Sequence, residues 1–171
     1  MLNAEQALIA RAKSGDQAAF TMLATQYRDR LLQFLWIRCG HQHDAEDATQ
    51  NALINAWTYL SSYRSDWQFS TWLYRIGLRE LGKRPVIDTG YATEPTAPDR
   101  TELALDIENV WRKAQQVLSA DACTALWLRY AEDASIGDIA EVTGKSQVSI
   151  KVGLMRSRNR LAKELRDETN P

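Results

Sequence analysis

Three of the four prolines, Pro85, Pro95 and Pro98, fall together in the middle of the chain, and the fourth is its last residue. Proline lacks a backbone donor and its ring clashes with the preceding helical turn, so no regular helix can run through this stretch. Asp88, Thr89, Gly90, Thr93 and Thr96 lie among the prolines and give the composition of a connector. Residues 85–101 are therefore expected to form a flexible linker between a block at 1–84 and a block at 102–171. On both sides apolar residues recur at helical spacing, with no alternating strand pattern and no internal repeat. The expected fold class is all-α, two small helical domains joined by the linker.

The C-terminal block carries the clearest chemistry. Ser135, with Asp138 three residues on, has the form of a capping box; Gly144 is a helix stop; and Ser146 can cap a second helix almost at once. Two helices joined by so short a turn are a helix-turn-helix, which lays its second helix in the DNA major groove. From Lys145 to Lys163 the turn and second helix carry Lys145, Lys151, Arg156, Arg158, Arg160 and Lys163 with no acid between Glu141 and Glu164, in a chain whose net charge is only -1. Ile150, Leu154, Ser157, Leu161 and Leu165 share one stripe and form its expected core face. Gln147, Val148, Ser149 and Val152, near the helix start and off that stripe, are the candidates for base readout. Gln pairs bidentately with adenine and Val meets a thymine methyl, while Lys151 and Arg156 suit phosphates. Lys145, Ser146 and Arg160 complete the candidate DNA surface. A basic helix alone could simply close a bundle; the capped helix before it favours DNA.

Four helices are expected in the N-terminal block, over about 3–14, from 16 to Gly40, over about 43–61, and from Phe69 to about 84. The second carries Phe20, Leu23, Ala24, Tyr27, Leu31, Phe34 and Leu35 on its buried side. The third opens with Asp44, Glu46 and Asp47, placed where the helix dipole favours acids, and buries Ala45, Ala48, Ala52, Leu53, Ala56 and Leu60. Asp44, Asp47, Asn51 and Ile54 then project outward with Glu46 and Gln50 at the shoulder, an acidic and partly apolar face suited to a positively charged protein. The loop that follows offers Tyr63, Arg64, Asp66, Trp67 and Gln68, and the fourth helix Trp72, Arg75, Arg79 and Lys83. Aromatic rings interleaved with bases are what unpaired DNA needs, a stacking plane beside cations that follow the backbone. Phe69, Trp72, Leu73 and Ile76 on the helix read first as core, which leaves the loop as the better contact surface.

Other function classes find little support. No run approaches the roughly 20 apolar residues of a membrane span, and the start Met-Leu-Asn-Ala-Glu-Gln is unlike a secretory signal, so no membrane insertion and a cytoplasmic location are expected. Cys39 and Cys123 lie far apart and are expected as free thiols. Cys39, His41 and His43 do not have a zinc spacing, no phosphate-cradling glycine loop is present, and neither histidine has a nucleophile beside it. No metal, cofactor or enzymatic activity is expected.

Taken in order, Ala19-Phe20 with Tyr27, then Asp44-Ala-Glu-Asp-Ala-Thr-Gln50, then Ala56-Trp57, then Phe69-Ser-Thr-Trp-Leu-Tyr-Arg-Ile76, and finally Ile139-Ala140 with Lys151 and Arg156, resemble the extracytoplasmic-function class of bacterial sigma factors. The resemblance covers both blocks. It implies a region 2 domain at about 16–84 and a region 4 domain at about 102–167. By that resemblance Asp44, Glu46, Asp47, Gln50, Asn51 and Ile54 dock on the beta-prime clamp helices of core RNA polymerase, and the region 4 domain meets the beta flap. Tyr63, Arg64, Asp66, Trp67 and Gln68 would capture an unstacked base of the -10 element, Trp72, Arg75, Arg79 and Lys83 would face melting DNA, and the helix from Ser146 would read the -35 element. An anti-sigma factor is an implied partner.

Four positions depart from the family pattern. Arg79 stands where Asn is usual, Ser119 and Cys123 replace the Pro and Arg at the entry to region 4, and Gly153 takes the place of a base in the recognition helix. The competing reading is a stand-alone helix-turn-helix regulator of duplex DNA, with the N-terminal bundle as a sensor or dimerisation module.

Overall fold

The computed structural model describes residues 3–83 and 102–170, with the side chains of 102–105 excepted. The expected linker at 85–101 lies outside the described residues. Every regular element among the described residues is helical, and the chain divides into two compact units, one from Met1–Leu35 and His43–Asp88 and the other from Trp36–Gln42 and Thr89–Pro171.

The first unit begins with α1, Ala4–Lys13, where the Asn3 side chain caps the start by accepting from the Gln6 N–H at 2.8 Å. Helix α2, Gln17–Cys39, starts at Asp16, whose carboxylate accepts from the Ala19 N–H at 3.1 Å. It ends at Gly40, whose φ of 74° a side-chain-bearing residue rarely adopts. Phe20, Leu23, Tyr27, Leu31, Phe34 and Leu35 are buried as the periodicity requires; Ala24 is half-buried. Helix α3, Gln42–Thr58, buries Ala45, Ala48, Ala52 and Ala56, small side chains that let a neighbouring element approach its backbone closely. It stops earlier than the sequence pattern indicates, and Leu60–Ser62 forms one turn of 3-10 helix instead.

Helix α4, Phe69–Gly82, seats Gly77 against Leu31 and Leu35 of α2, and Phe34 stacks on Tyr74 with centroids 4.8 Å apart. Glu80 is the charged group buried in this packing. It accepts from Asn55 Nδ2 of α3 and from Lys83 Nζ, both at 2.6 Å, so its charge is compensated.

In the second unit α5, Glu102–Val117, α6, Ala120–Tyr130, α7, Ile136–Thr143, and α8, Gln147–Thr169, pack together. Ser119 caps α6 by accepting from the Ala122 N–H, as a Ser in that place allows without the Pro of the family pattern. Cys123 is fully buried, and burial pushes its thiol up to about 11. It fills the core with Leu126, Trp127, Leu128, Ile139, Ile150 and Leu154.

Candidate nucleic-acid and polymerase interfaces

The turn that presents α8 is held by caps on both of its helices. The Ser135 hydroxyl accepts from the Asp138 N–H at 3.0 Å while the Asp138 carboxylate accepts from the Ser135 N–H at 3.2 Å, a complete capping box. Gly144 turns the chain at φ 71°, its N–H bonding back to the Ala140 carbonyl, and the Ser146 hydroxyl accepts from the Ser149 N–H at 3.2 Å. Ser146 is thus the cap that orients α8.

Ile150, Leu154 and Ser157 of α8 are buried, with Leu161 and Leu165 half-buried along the same stripe. Gln147, Val148, Ser149, Lys151, Val152, Arg156 and Arg160 are all exposed. Val148 and Met155 are apolar and exposed, at 72% and 54%, and Lys151 and Arg156 lie beside them along the helix. That mixture suits a groove, where methyl groups of thymine lie beside phosphates. Lys145 is held by Asp121 at 2.9 Å, and its ammonium in turn keeps the Asp121 carboxyl below the usual carboxylate range. Arg158 is turned aside, reaching the Tyr130 hydroxyl at 3.4 Å. Gly153 is exposed, with nothing within 4 Å of where a Cβ would sit.

The second candidate surface is the loop before α4. Arg64, Ser65, Asp66, Trp67 and Gln68 are exposed, Trp67 at 39%, and Arg64 faces Asp66 at 3.4 Å. Tyr63 differs: the sequence places it among the contact residues, yet its ring is only 6% exposed. It lies edge-on to Phe69 at 5.5 Å and tilted to Trp72 at 5.3 Å, because burying a phenol ring in an aromatic cluster gains more than leaving it in water. Its hydroxyl donates to the Trp67 carbonyl at 2.6 Å, and burial raises its pKa. Tyr63 therefore shapes the loop from beneath. Trp72 is half-buried in the same cluster. Arg75 and Arg79 are exposed one turn apart on α4, and Lys83, a further turn on, is paired with Glu80.

Beside the loop is a cavity of about 1130 Å³ whose lining includes Trp67 and Gln68 of the loop, Gln6 and Lys13 of α1, and its cap Asn3. No sequence signal marks α1 for this position. Lys13 stands fifty residues from the Tyr63 carbonyl that accepts its hydrogen bond, a separation that no local motif can bridge.

The third surface is α3. Glu46, Gln50, Asn51 and Ile54 are exposed, Ile54 at 56%, whereas Asp44 and Asp47 are half-buried. His43 Nε2 lies 3.5 Å from Asp47 one turn on, and Trp57 leans on Phe20 with centroids 5.1 Å apart. The Cys39–His43 turn uses its sulfur locally, Cys39 Sγ meeting the His41 carbonyl at 3.4 Å.

Comparison with known proteins accounts for this combination. The family description Sigma-70 region 2 matches residues 23–82, which span α3, the loop and α4. The chain is 32% identical to the RNA polymerase sigma-H factor of Pseudomonas aeruginosa, over 96% of this chain and 92% of that protein. It is 30% identical to the ECF RNA polymerase sigma-E factor of Haemophilus influenzae, over 94% of this chain and 92% of that one. Among solved structures, the sigma factor RpoE of Bartonella quintana, in complex with the anti-sigma factor NepR, superposes with a TM-score of 0.68 at 26% identity, covering 86% of this chain and 96% of that one. An exposed basic recognition helix, an aromatic loop over a polar cavity and an acidic helix face thus occur in a chain that belongs to the extracytoplasmic-function class of bacterial RNA polymerase sigma factors.

Proposed function

We propose that this sigma factor divides promoter recognition among the three surfaces. The α8 face, with Gln147, Val148, Ser149 and Val152 toward bases and Lys145, Lys151, Arg156 and Arg160 toward phosphates, reads the -35 element as duplex. The loop 63–68 receives an unstacked base of the -10 element, with Trp67 as its stacking plane and Arg75, Arg79 and Lys83 following the strand. The α3 face, through Glu46, Gln50, Asn51, Ile54 and the acids Asp44 and Asp47, docks on the beta-prime clamp helices, and the second unit meets the beta flap. The chain performs no covalent chemistry; it directs core polymerase and lowers the cost of opening the duplex. It works in the cytoplasm with polymerase, and among the described residues no helix is long and apolar enough to cross a membrane. An anti-sigma factor holds it in check, a reading supported by the similar Bartonella quintana sigma factor, solved bound to one.

The observation that carries this reading is the loop, whose stacking ring stands open over a polar cavity while its aromatic base is packed. The test is run-off transcription from a randomised promoter library with purified core RNA polymerase. Transcripts that depend on the added chain, from templates sharing two spaced elements, are expected; tight binding of duplex by the chain alone, with no transcription, would sink the proposal.

A further inference from the structure

The surface that receives the -10 base has a wall the family description does not reach. Helix α1 lies N-terminal to the matched span 23–82. Leu8, Ile9 and Ala12 bury its inner face, and two hydrogen bonds add to that packing. Tyr27 of α2 donates its hydroxyl to Glu5 at 2.9 Å, and Lys13 donates to the Tyr63 carbonyl at 2.6 Å, with its ammonium also 5.6 Å from the centre of the Tyr63 ring.

Lys13 thus grips the loop at the residue where it leaves the 3-10 turn, and Tyr63 carries that grip to the far end through its hydroxyl on the Trp67 carbonyl. The two bonds bracket Arg64, Ser65 and Asp66, whose side chains are exposed. A loop tied at both ends has already lost most of the conformational freedom that binding would remove, so the base meets a formed cavity. Gln6 lines the same cavity from α1 and is exposed, and its amide carries both donors and acceptors.

We propose that α1 is the second wall of the base-receiving cavity: Lys13 is a positioning residue that holds the loop in its receptive shape, and Gln6 reads the hydrogen-bonding edge of the unstacked base. The inference rests on the sigma reading above and adds to it an element outside the matched region.

The test uses holoenzyme assembled from the full chain and core polymerase, on fork-junction DNA carrying a promoter selected from the library. Each unpaired -10 position is replaced in turn by an abasic site. For the unaltered chain one position is expected to cost about tenfold or more in affinity, the value of a lost base stack. Lys13→Met should lose about tenfold on intact DNA, lose nothing further on DNA abasic at that position, and be rescued by Lys13→Arg, which keeps a charged donor. Gln6→Ala, at an exposed site that cannot threaten the fold, should change the ranking of the four bases at that position alone. Equal losses for Lys13→Met on intact and abasic DNA, no loss at all, or an unchanged base ranking for Gln6→Ala would overturn the inference while transcription by the unaltered chain upholds the sigma reading. Failure of the unaltered holoenzyme to transcribe or to bind the fork would overturn both.

Discussion

Gly153 and Gly77 are the same residue in two helices, and their surroundings give them opposite meanings. At Gly153 a Cβ would meet nothing within 4 Å, so the position carries only the entropic cost of glycine in a helix. Gly153→Ala should raise stability by about 1 kcal/mol and the thermal midpoint by a few degrees, read by calorimetry. At Gly77 a Cβ would come within 2.9 Å of Leu31 Cδ1 and 3.3 Å of Leu35 Cδ2. Gly77→Ala should therefore destabilise by about 1–3 kcal/mol through overpacking, seen in the same scan. The departure at Gly153 from the family pattern leaves an opening on an exposed side of α8 and is not a packing requirement. Arg79 is a comparable case, since it is exposed one turn beyond Arg75 and adds a cation where the family has an amide.

At the scale of single elements, the caps decide whether the functional helices are held. Ser135 and Asp138 satisfy each other's backbone donors at the start of α7, the helix against which α8 packs. Ser135→Ala should cost about 1 kcal/mol in a urea titration and weaken duplex binding by holoenzyme, although Ser135 is not placed at the DNA face. The start of α2 responds to pH. Its cap Asp16 accepts from the Ala19 N–H and then from Arg11, at 2.9 Å from Nε and 2.7 Å from Nη2, and these bonds hold its carboxyl below the ordinary 3.8. A carboxyl lowered by folding stabilises fully above its unfolded value and loses that contribution as pH falls through the folded one. The urea midpoints of the native chain and Asp16→Asn should therefore differ near neutrality and converge below about pH 3.8; a constant gap would refute the assignment.

For the whole molecule, the distribution of charge matters more than its total. A chain of net charge -1 binds DNA only where cations are gathered and acids withdrawn, as on α8 beyond Glu141. Lys151→Ala or Arg156→Ala should each lower the slope of log affinity against log salt by about 1, nearly independent of promoter sequence. Val152→Ala should leave the slope unchanged and alter base preference. On the opposite-signed surface, Asp47→Lys is expected to weaken core polymerase binding about tenfold or more, with the helical circular dichroism unchanged. The all-helical class, the caps of α7 and α8, and the buried stripe and exposed face of α8 were legible in the chain itself, because each depends on residues within a turn or two of one another, where spacing carries the physics. The role of Tyr63 was not: alone it reads as an exposed loop aromatic, and only the ring cluster with Phe69 and Trp72 draws it inward. Nor were the grip of Lys13 on that loop, the wall that α1 gives the cavity, or the contrast between Gly77 and Gly153. These depend on which distant segments meet, and a hydrogen bond or a steric contact across fifty residues is set by packing, not by the order of the residues along the chain.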